Sequence, residues 1–225
     1  MKRLRRSDRI GYFFLGLVFV LALYFGFTDL DYFDHSFSVE DGPVEWGTTL
    51  ALFCISILCL QRLFTLWSLK KIPWRLGTFM FALLFFFAAG EEISWGQRIF
   101  DIQSSTFFTE NNAQGETNLH NLVVGGKKIN KIVFSQLLML VMVIYLLVAP
   151  VMYRKITWFK ELVNKFAIPI VQWHHTIAFL ISTGLVALNP SSRKWEVYEL
   201  AFGVIFLLIF LYPLNRWVFT KENVH

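Results

Sequence analysis

The chain has 225 residues, of which 56% are apolar, 18% are aromatic and only 16% are charged. A soluble domain carries about a quarter charged residues and exposes much of its surface to water, so this composition excludes an ordinary soluble protein. The formal net charge of +5 comes from Lys and Arg at the ends of apolar runs, which is typical of membrane proteins and argues against a nucleic-acid partner.

The first predicted helix covers 10–27 and follows a strongly basic N-terminal segment. The arrangement is similar to the charged and apolar regions of a secretory signal peptide. The apolar run is long for that purpose, however, and Asp29 and Asp31 follow it instead of a small-residue cleavage site. We therefore predict a retained transmembrane helix.

Five further segments approach the roughly 20 apolar residues that cross a bilayer. Together with the first, they predict an all-α, polytopic integral membrane protein in which residues 1–225 form a single domain of six transmembrane helices. These helices are predicted at 47–68, 75–100, 132–152, 167–188 and 199–217, with one long outer loop at 101–131. The helix 75–100 is apolar only as far as Gly90, and we predict that it continues through the sequence GEEISWGQRIF. Cys54 and Cys59 share one apolar run and are predicted to be unpaired.

The distribution of basic residues predicts the orientation of the helices. If both termini lie in the cytoplasm, most of the 21 Lys and Arg residues fall in cytoplasmic segments and most of the 16 Asp and Glu residues fall outside. Because Lys and Arg are retained on the cytoplasmic side, we predict an N-in, C-in topology. Lys127, Lys128 and Lys131 lie on the outer side in this arrangement and are the exception.

Acidic side chains collect on the predicted outer side. Glu91 and Glu92 are the most informative, because they directly follow an apolar segment, and ionisable groups at that depth are costly and frequently functional. Arg98 lies two helical turns beyond Glu91 if the helix continues, so an ion pair that only holds this helix to a neighbour is the structural alternative. Glu196 and Glu199 open the last helix, where the helix dipole alone would favour them.

A histidine in the outer loop suggests a metal site. Glu116 and His120 are four residues apart, so a helical turn would bring their side chains together. Asn118 and Asn121 flank this histidine and could fix its tautomer, whereas a solvated loop histidine is the alternative. We predict Glu91, Glu92, Arg98 and His120 as catalytic residues, and Glu92, Glu116, His120 and Glu199 as ligands of a divalent metal. An imidazole among carboxylates suits zinc or a similar divalent ion.

Two adjacent histidines interrupt the fifth apolar segment. His174 and His175 lie near its cytoplasmic end, on the opposite side from the acidic residues. Neutral histidines that hydrogen-bond between helices are the favoured interpretation. A displaced or tilted fifth helix would instead bring one of them towards a site, so their role stays open.

Two motifs carry a resemblance. GEEISWGQRIF and NNAQGETNLHNL, within 90–122, resemble a pattern in uncharacterised bacterial inner-membrane proteins. The resemblance implies a bacterial inner-membrane location and no particular activity. The membrane CAAX-protease-like family also has a Glu-Glu motif, but Gly96 stands where that motif has its arginine, so the chain departs from that family.

These features favour a metal-dependent hydrolase or transferase that acts on a lipid or lipid-linked substrate at the outer membrane interface. The metal would activate a water molecule, and a remaining carboxylate would act as the general base. A non-catalytic membrane subunit or scaffold and a small cation-coupled transporter are the alternatives. The sequence has no phosphate-binding Gly loop, nucleophile elbow or Cys-based metal motif, which argues against nucleotide use and serine chemistry of that type.

Overall fold

The computed structural model describes residues 4–119, 121–124, 127–128 and 138–221. These residues are helical apart from turns, loops and one short β-ladder that pairs Val123–Val124 with Lys127–Lys128. The main helices are α1 (Arg6–Thr28), α2 (Pro43–Leu66), α3 (Ile72–Glu92), α4 (Thr106–Asn111), α5 (the consecutive segments Leu138–Val143, Ile144–Val148 and Ala149–Lys155), α6 (Thr157–Lys165), α7 (Trp173–Leu188) and α8 (Lys194–Leu211). The prediction of an all-helical protein is confirmed.

Several of these helices can cross a membrane. α1, α3 and the segment Pro43–Leu69, which contains α2, are long and apolar enough to do so. α5 and α6 meet this criterion together, although the chain bends by 116° at the break between them, whereas α7 is apolar but has only 16 residues. Large apolar side chains also cover the outside of the bundle, as Phe13 and Ile72 show with exposures of 76% and 75%. The described residues thus contain three to four candidate membrane-spanning helices.

α8 is the central helix of the bundle. It packs against α1 and α7 on one side and against α2 and α3 on the other. Small residues allow α2 and α8 to approach closely, because a Cβ added at Gly203 would lie 3.2 Å from the Cβ of Ala51. The acidic residues at the start of α8 therefore lie next to the first turn of α2.

The helices run in two opposite directions, so the bundle has two distinct ends. Tyr12 in α1 hydrogen-bonds to His174 at the start of α7, and Asn189 after α7 donates to the carbonyl of Ala22 over 2.8 Å. α1 and α7 therefore run in the same direction. We call the end that holds Tyr12 the N-terminal end and the opposite end the far end. α2 and α8 begin at the far end, and α3 ends there.

A π-helical turn, Ile144–Val148, interrupts α5 just before Pro150. Proline has no N–H to donate to the carbonyl four residues earlier, which is that of Leu146. Thr176 in α7 donates its hydroxyl to this carbonyl over 3.0 Å. The interruption of α5 therefore becomes a hydrogen-bonded contact with α7.

The predicted helix 75–100 extends too far. α3 ends at Glu92, and Ser94, Trp95 and Gly96 have φ angles of 47°, 56° and 74°. An α-helix needs a negative φ at every residue, so three successive left-handed residues exclude the predicted continuation. Trp95 holds this turn by donating its indole N–H to Glu91 over 2.8 Å.

Two further boundaries differ from prediction. Residues 167–172 belong to the predicted helix 167–188 but are not helical, because Pro169 lies among them and the N–H of Ile170 donates to the side chain of Asn215. The predicted helix 199–217 is displaced towards the N-terminus, as α8. For the predicted helix 132–152, residues 132–137 lie outside the described residues, and the rest is helical as α5.

Candidate functional site

Arg98 is the centre of an ion-pair network at the far end. Its Nε donates to Oε1 of Glu116 over 2.6 Å, and its Nη atoms also contact Glu116 and Asp41. These contacts attach the segment after α3 to the loop after α4 and to the loop before α2. Burial of the guanidinium opposes its charge, but the hydrogen bonds to Asp41 and Glu116 outweigh burial and raise the pKa of Arg98.

Glu91 connects the turn after α3 to the loop that follows α4. Only 6% of its surface is exposed. Its Oε1 accepts the indole N–H of Trp95, and its Oε2 accepts the backbone N–H of Leu119 over 2.6 Å. Glu91 therefore has a structural task in the fold, and its predicted catalytic role stays a prediction.

Buried amide side chains hold the loop after α4. Asn118 donates to Oγ of Ser94 over 2.8 Å, and Ser94 donates to Oε2 of Glu116 over 2.6 Å. Asn112 donates to the carbonyl and the side-chain oxygen of Asn118 over 3.0 and 2.9 Å. His120, the metal ligand predicted in this loop, lies outside the described residues.

We expect Arg98→Met to loosen the loop after α4 without unfolding the protein. The variant leaves the carboxylates of Asp41 and Glu116 without their shared cation, and exposed pairs of this kind contribute about 1 kcal/mol or less each. Limited proteolysis of purified protein should cleave the loop about tenfold faster. Lowering the free energy of local opening by about 1.4 kcal/mol raises the population of the open loop by that factor. Arg98→Lys, which keeps the charge but not the planar fork, should give an intermediate rate. Equal cleavage rates in all three proteins would contradict the network.

Four carboxylates from three helices come together at the same end. Glu45 lies in the first turn of α2, Glu92 ends α3, and Glu196 and Glu199 lie near the start of α8. The charges of Glu45 and Glu196 act on Glu92, and all three act on Glu199, so the four lie within electrostatic range of one another. We call these four residues the carboxylate cluster.

The carboxylate cluster has no direct basic partner. Among the described residues, no Lys, Arg or His side chain forms an ion pair with any of its members. Arg98 and Arg193 lie at this end of the bundle, but they pair with carboxylates outside the cluster. The cluster therefore brings four acidic side chains together at the end of three packed helices without a direct basic partner in the described part of the chain.

The predicted site residues divide into two groups. Glu92 and Glu199 belong to the carboxylate cluster, whereas Glu91, Arg98 and Glu116 belong to the neighbouring hydrogen-bonded network. Within the described ranges, none of Glu92, Glu116 and Glu199 belongs to a group of three side chains with metal-ligand spacing. The predicted metal site depends on His120 and stays a prediction.

No protein-family model, curated protein or solved structure matches this chain. The resemblance carried by GEEISWGQRIF and NNAQGETNLHNL therefore stays a prediction, and the chemistry of the site follows from its own geometry.

A second set of titratable side chains lies at the N-terminal end. Asp8 is in the first turn of α1, and His174 and His175 are in the first turn of α7. One ligand atom from each of the three lies within 4.8 Å of the others. The sequence leaves the role of the two histidines open and does not predict Asp8 as a site residue. Its only signal is that it is an isolated acid in a strongly basic segment.

The two clusters suit different chemistry. Carboxylate oxygens bind hard divalent cations or hold a proton for general acid–base catalysis, as the carboxylate cluster could. Two imidazoles with one carboxylate suit zinc and related transition metals.

Proposed function

We propose that this chain is a metal-dependent membrane hydrolase or transferase that acts on a lipid or lipid-linked substrate. The carboxylate cluster is its reaction centre. The observation that carries the proposal is the convergence of Glu45, Glu92, Glu196 and Glu199 without an ion-pair partner among the described residues. Like charges on partly buried groups repel one another, and a bound divalent cation offsets that repulsion.

The roles within the cluster follow from its composition. Its carboxylate oxygens would favour Mg²⁺, Mn²⁺ or Ca²⁺, whereas zinc would be favoured by a nitrogen ligand such as the predicted His120. A bound metal would supply an activated water for hydrolysis, and a carboxylate of the cluster that does not hold the metal would act as the general base. Glu92 and Glu199 are the central members, because two other acids of the cluster act on Glu92 and all three others act on Glu199.

The proposal includes a position in the membrane. With six transmembrane helices and both termini in the cytoplasm, the carboxylate cluster would lie at the outer interface of a bacterial inner membrane. The distribution of Lys and Arg supports this orientation. Exposed aromatic side chains beside the end of α3, including Phe86, Phe87 and Trp95, support a lipid as the substrate.

Metal content and lipid composition test the proposal together. Glu92→Gln and Glu199→Gln remove one charge each with little change of shape. We expect each purified variant to lose the divalent metal that the folded wild type retains, and cells that carry the variant to accumulate the substrate lipid. Glu110→Gln, in the exposed helix α4, is the matched control and should behave as wild type. Folded Glu92→Gln and Glu199→Gln proteins with unchanged metal content and an unchanged cellular lipid profile would sink the proposal.

A non-catalytic membrane subunit or scaffold is the alternative that the Arg98 network favours. Satisfied hydrogen bonds around Arg98, Glu116 and Asn118 stabilise a loop without any chemistry. Co-purification of a stoichiometric partner, together with a lipid profile that Glu92→Gln leaves unchanged, would establish it. Cation flux through the protein in liposomes would instead establish a small cation-coupled transporter.

A further inference from the structure

Asp8 and His175 are deeply buried at the N-terminal end, with exposures of 1% and 0%. The Oδ1 of Asp8 and the Nε2 of His175 have no hydrogen-bond partner among the described residues. These two atoms face each other across 3.9 Å, which is too long for a direct hydrogen bond. A buried carboxylate oxygen and a buried ring nitrogen without a partner are costly, so an ion or a water molecule between them would stabilise this arrangement.

The spacing of these atoms matches the ligands of one metal ion. Carboxylate oxygen and imidazole nitrogen bind zinc at about 2.0–2.2 Å, which places two ligand atoms of the same ion roughly 3–4 Å apart. His174 supplies a third ligand atom, and all three atoms lie within 4.8 Å of one another. A small contraction of the group on binding therefore completes a three-ligand site.

Neighbouring groups already orient the three ligands. The other oxygen of the carboxylate, Oδ2 of Asp8, accepts the backbone N–H of Arg5 over 3.2 Å. The hydroxyl of Tyr12 hydrogen-bonds to Nδ1 of His174 over 2.7 Å and so fixes the orientation of that ring. Such outer contacts fix the ring and its tautomer in many metal sites.

One existing hydrogen bond to His175 opposes metal binding, because metal binding would break it. The backbone N–H of Gln172 donates to Nδ1 of His175 over 3.4 Å, which places the ring proton on Nε2. Coordination through Nε2 moves this proton to Nδ1 at the expense of the hydrogen bond. Because that bond is long, its loss is small compared with the two buried atoms that gain a partner.

We propose that Asp8, His174 and His175 bind one divalent transition-metal ion of the zinc class. The two imidazole nitrogens select against Mg²⁺ and Ca²⁺, and three protein ligands leave a fourth position open. The half-buried ring of His174 gives the ion a path to solvent. This site is distinct from the carboxylate cluster, because it lies at the other end of helices that are roughly 30 Å long.

Cobalt binding to the full-length protein tests this site separately from the carboxylate cluster. The purified protein is stripped with a chelator and titrated with Co²⁺, whose visible absorption reports nitrogen coordination. All variants are made in a Glu92→Gln background, so that failure of the proposed reaction centre does not affect the result. We expect one Co²⁺ equivalent with a visible band that Zn²⁺ displaces.

Variants of the ligands and of the outer contact should lower Co²⁺ affinity to different degrees. Asp8→Asn and His174→Gln should lose at least a hundredfold, and Tyr12→Phe, which removes only the contact to His174, should lose roughly tenfold to a hundredfold. His174 is only half-buried, so His174→Gln remains informative even where Asp8→Asn fails to fold. His35→Gln, at an exposed histidine of the far end, is the control and should bind as the parent protein does.

Two results would overturn the proposal. One is a parent protein that binds neither Co²⁺ nor Zn²⁺ after removal of the chelator, because Asp8 and His175 then share only a water molecule. The other is Co²⁺ affinity and a visible band that His174→Gln and Tyr12→Phe both leave unchanged.

Discussion

Replacing Gly77 by alanine is expected to lower the thermal unfolding temperature of the detergent-solubilised protein by roughly 6–12 °C. A Cβ at this position would lie 1.8 Å from the backbone carbonyl oxygen of Phe166, just after α6. Both atoms are fixed by the backbone, so no side-chain rotation relieves the clash and α3 has to move away from the end of α6. Overpacking of this kind costs about 3 kcal/mol, and a chain of this size loses about 2–4 °C per kcal/mol.

Gly16→Ala in α1 is the matched control for this prediction. No atom lies within 4 Å of a Cβ added at Gly16, and alanine favours a helix over glycine by about 0.5–1 kcal/mol. Its unfolding temperature should therefore equal or slightly exceed that of the wild type in the same fluorescence-monitored melt. A Gly77→Ala protein that melts like Gly16→Ala would contradict the contact between α3 and Phe166.

Apolar length alone predicts the long helices, because a lipid-exposed segment has to satisfy its own backbone hydrogen bonds over the full thickness of the bilayer. The predicted helix 10–27 corresponds to α1 and the predicted helix 47–68 to α2. At the membrane interface, water can form hydrogen bonds with the backbone, so a helix can end there without such a constraint. The end of α3 depends instead on one side-chain contact, between Glu91 and Trp95, and no periodicity in GEEISWGQRIF indicates it.

The two clusters differ in how well they could be predicted from the sequence. The acidic residues of the carboxylate cluster lie at helix ends that the predicted topology places on one side, so their common location follows from helix order. Asp8 meets His174 and His175 only because α1 packs beside α7, and more than 160 residues separate the hydrogen-bonded pair Tyr12 and His174. Neither hydropathy nor residue spacing predicts that contact. Asp8 lies in a basic segment, where a single acidic residue gives no indication of a site.

Asn215→Leu is expected to destabilise the N-terminal end of the bundle by roughly 2–5 kcal/mol, since each buried polar group that loses its partner costs about 1–3 kcal/mol. Asn215 is fully buried. Its Oδ1 accepts the N–H of Ile170 over 2.9 Å, and its Nδ2 donates to the carbonyl of Ile168 over 2.9 Å and to Asn164 over 3.1 Å. Leucine has a similar volume but leaves the non-helical segment before α7 without these partners.

Thermal melts and hydrogen exchange together distinguish this local effect from general damage. We expect the melting temperature of Asn215→Leu to fall by about 5–15 °C, with faster exchange at the amide of Ile170. Asn111→Leu is the control, because that side chain only donates to a carbonyl within the exposed helix α4 and should change stability by less than about 1 kcal/mol. Wild-type melting and unchanged protection of Ile170 in Asn215→Leu would show that Asn215 does not hold this segment.

The segment 167–172 precedes the first turn of α7, which carries His174 and His175. Loosening of this segment in Asn215→Leu should therefore also weaken Co²⁺ binding at Asp8. Gly77→Ala acts at the end of α6 and should affect Co²⁺ binding less.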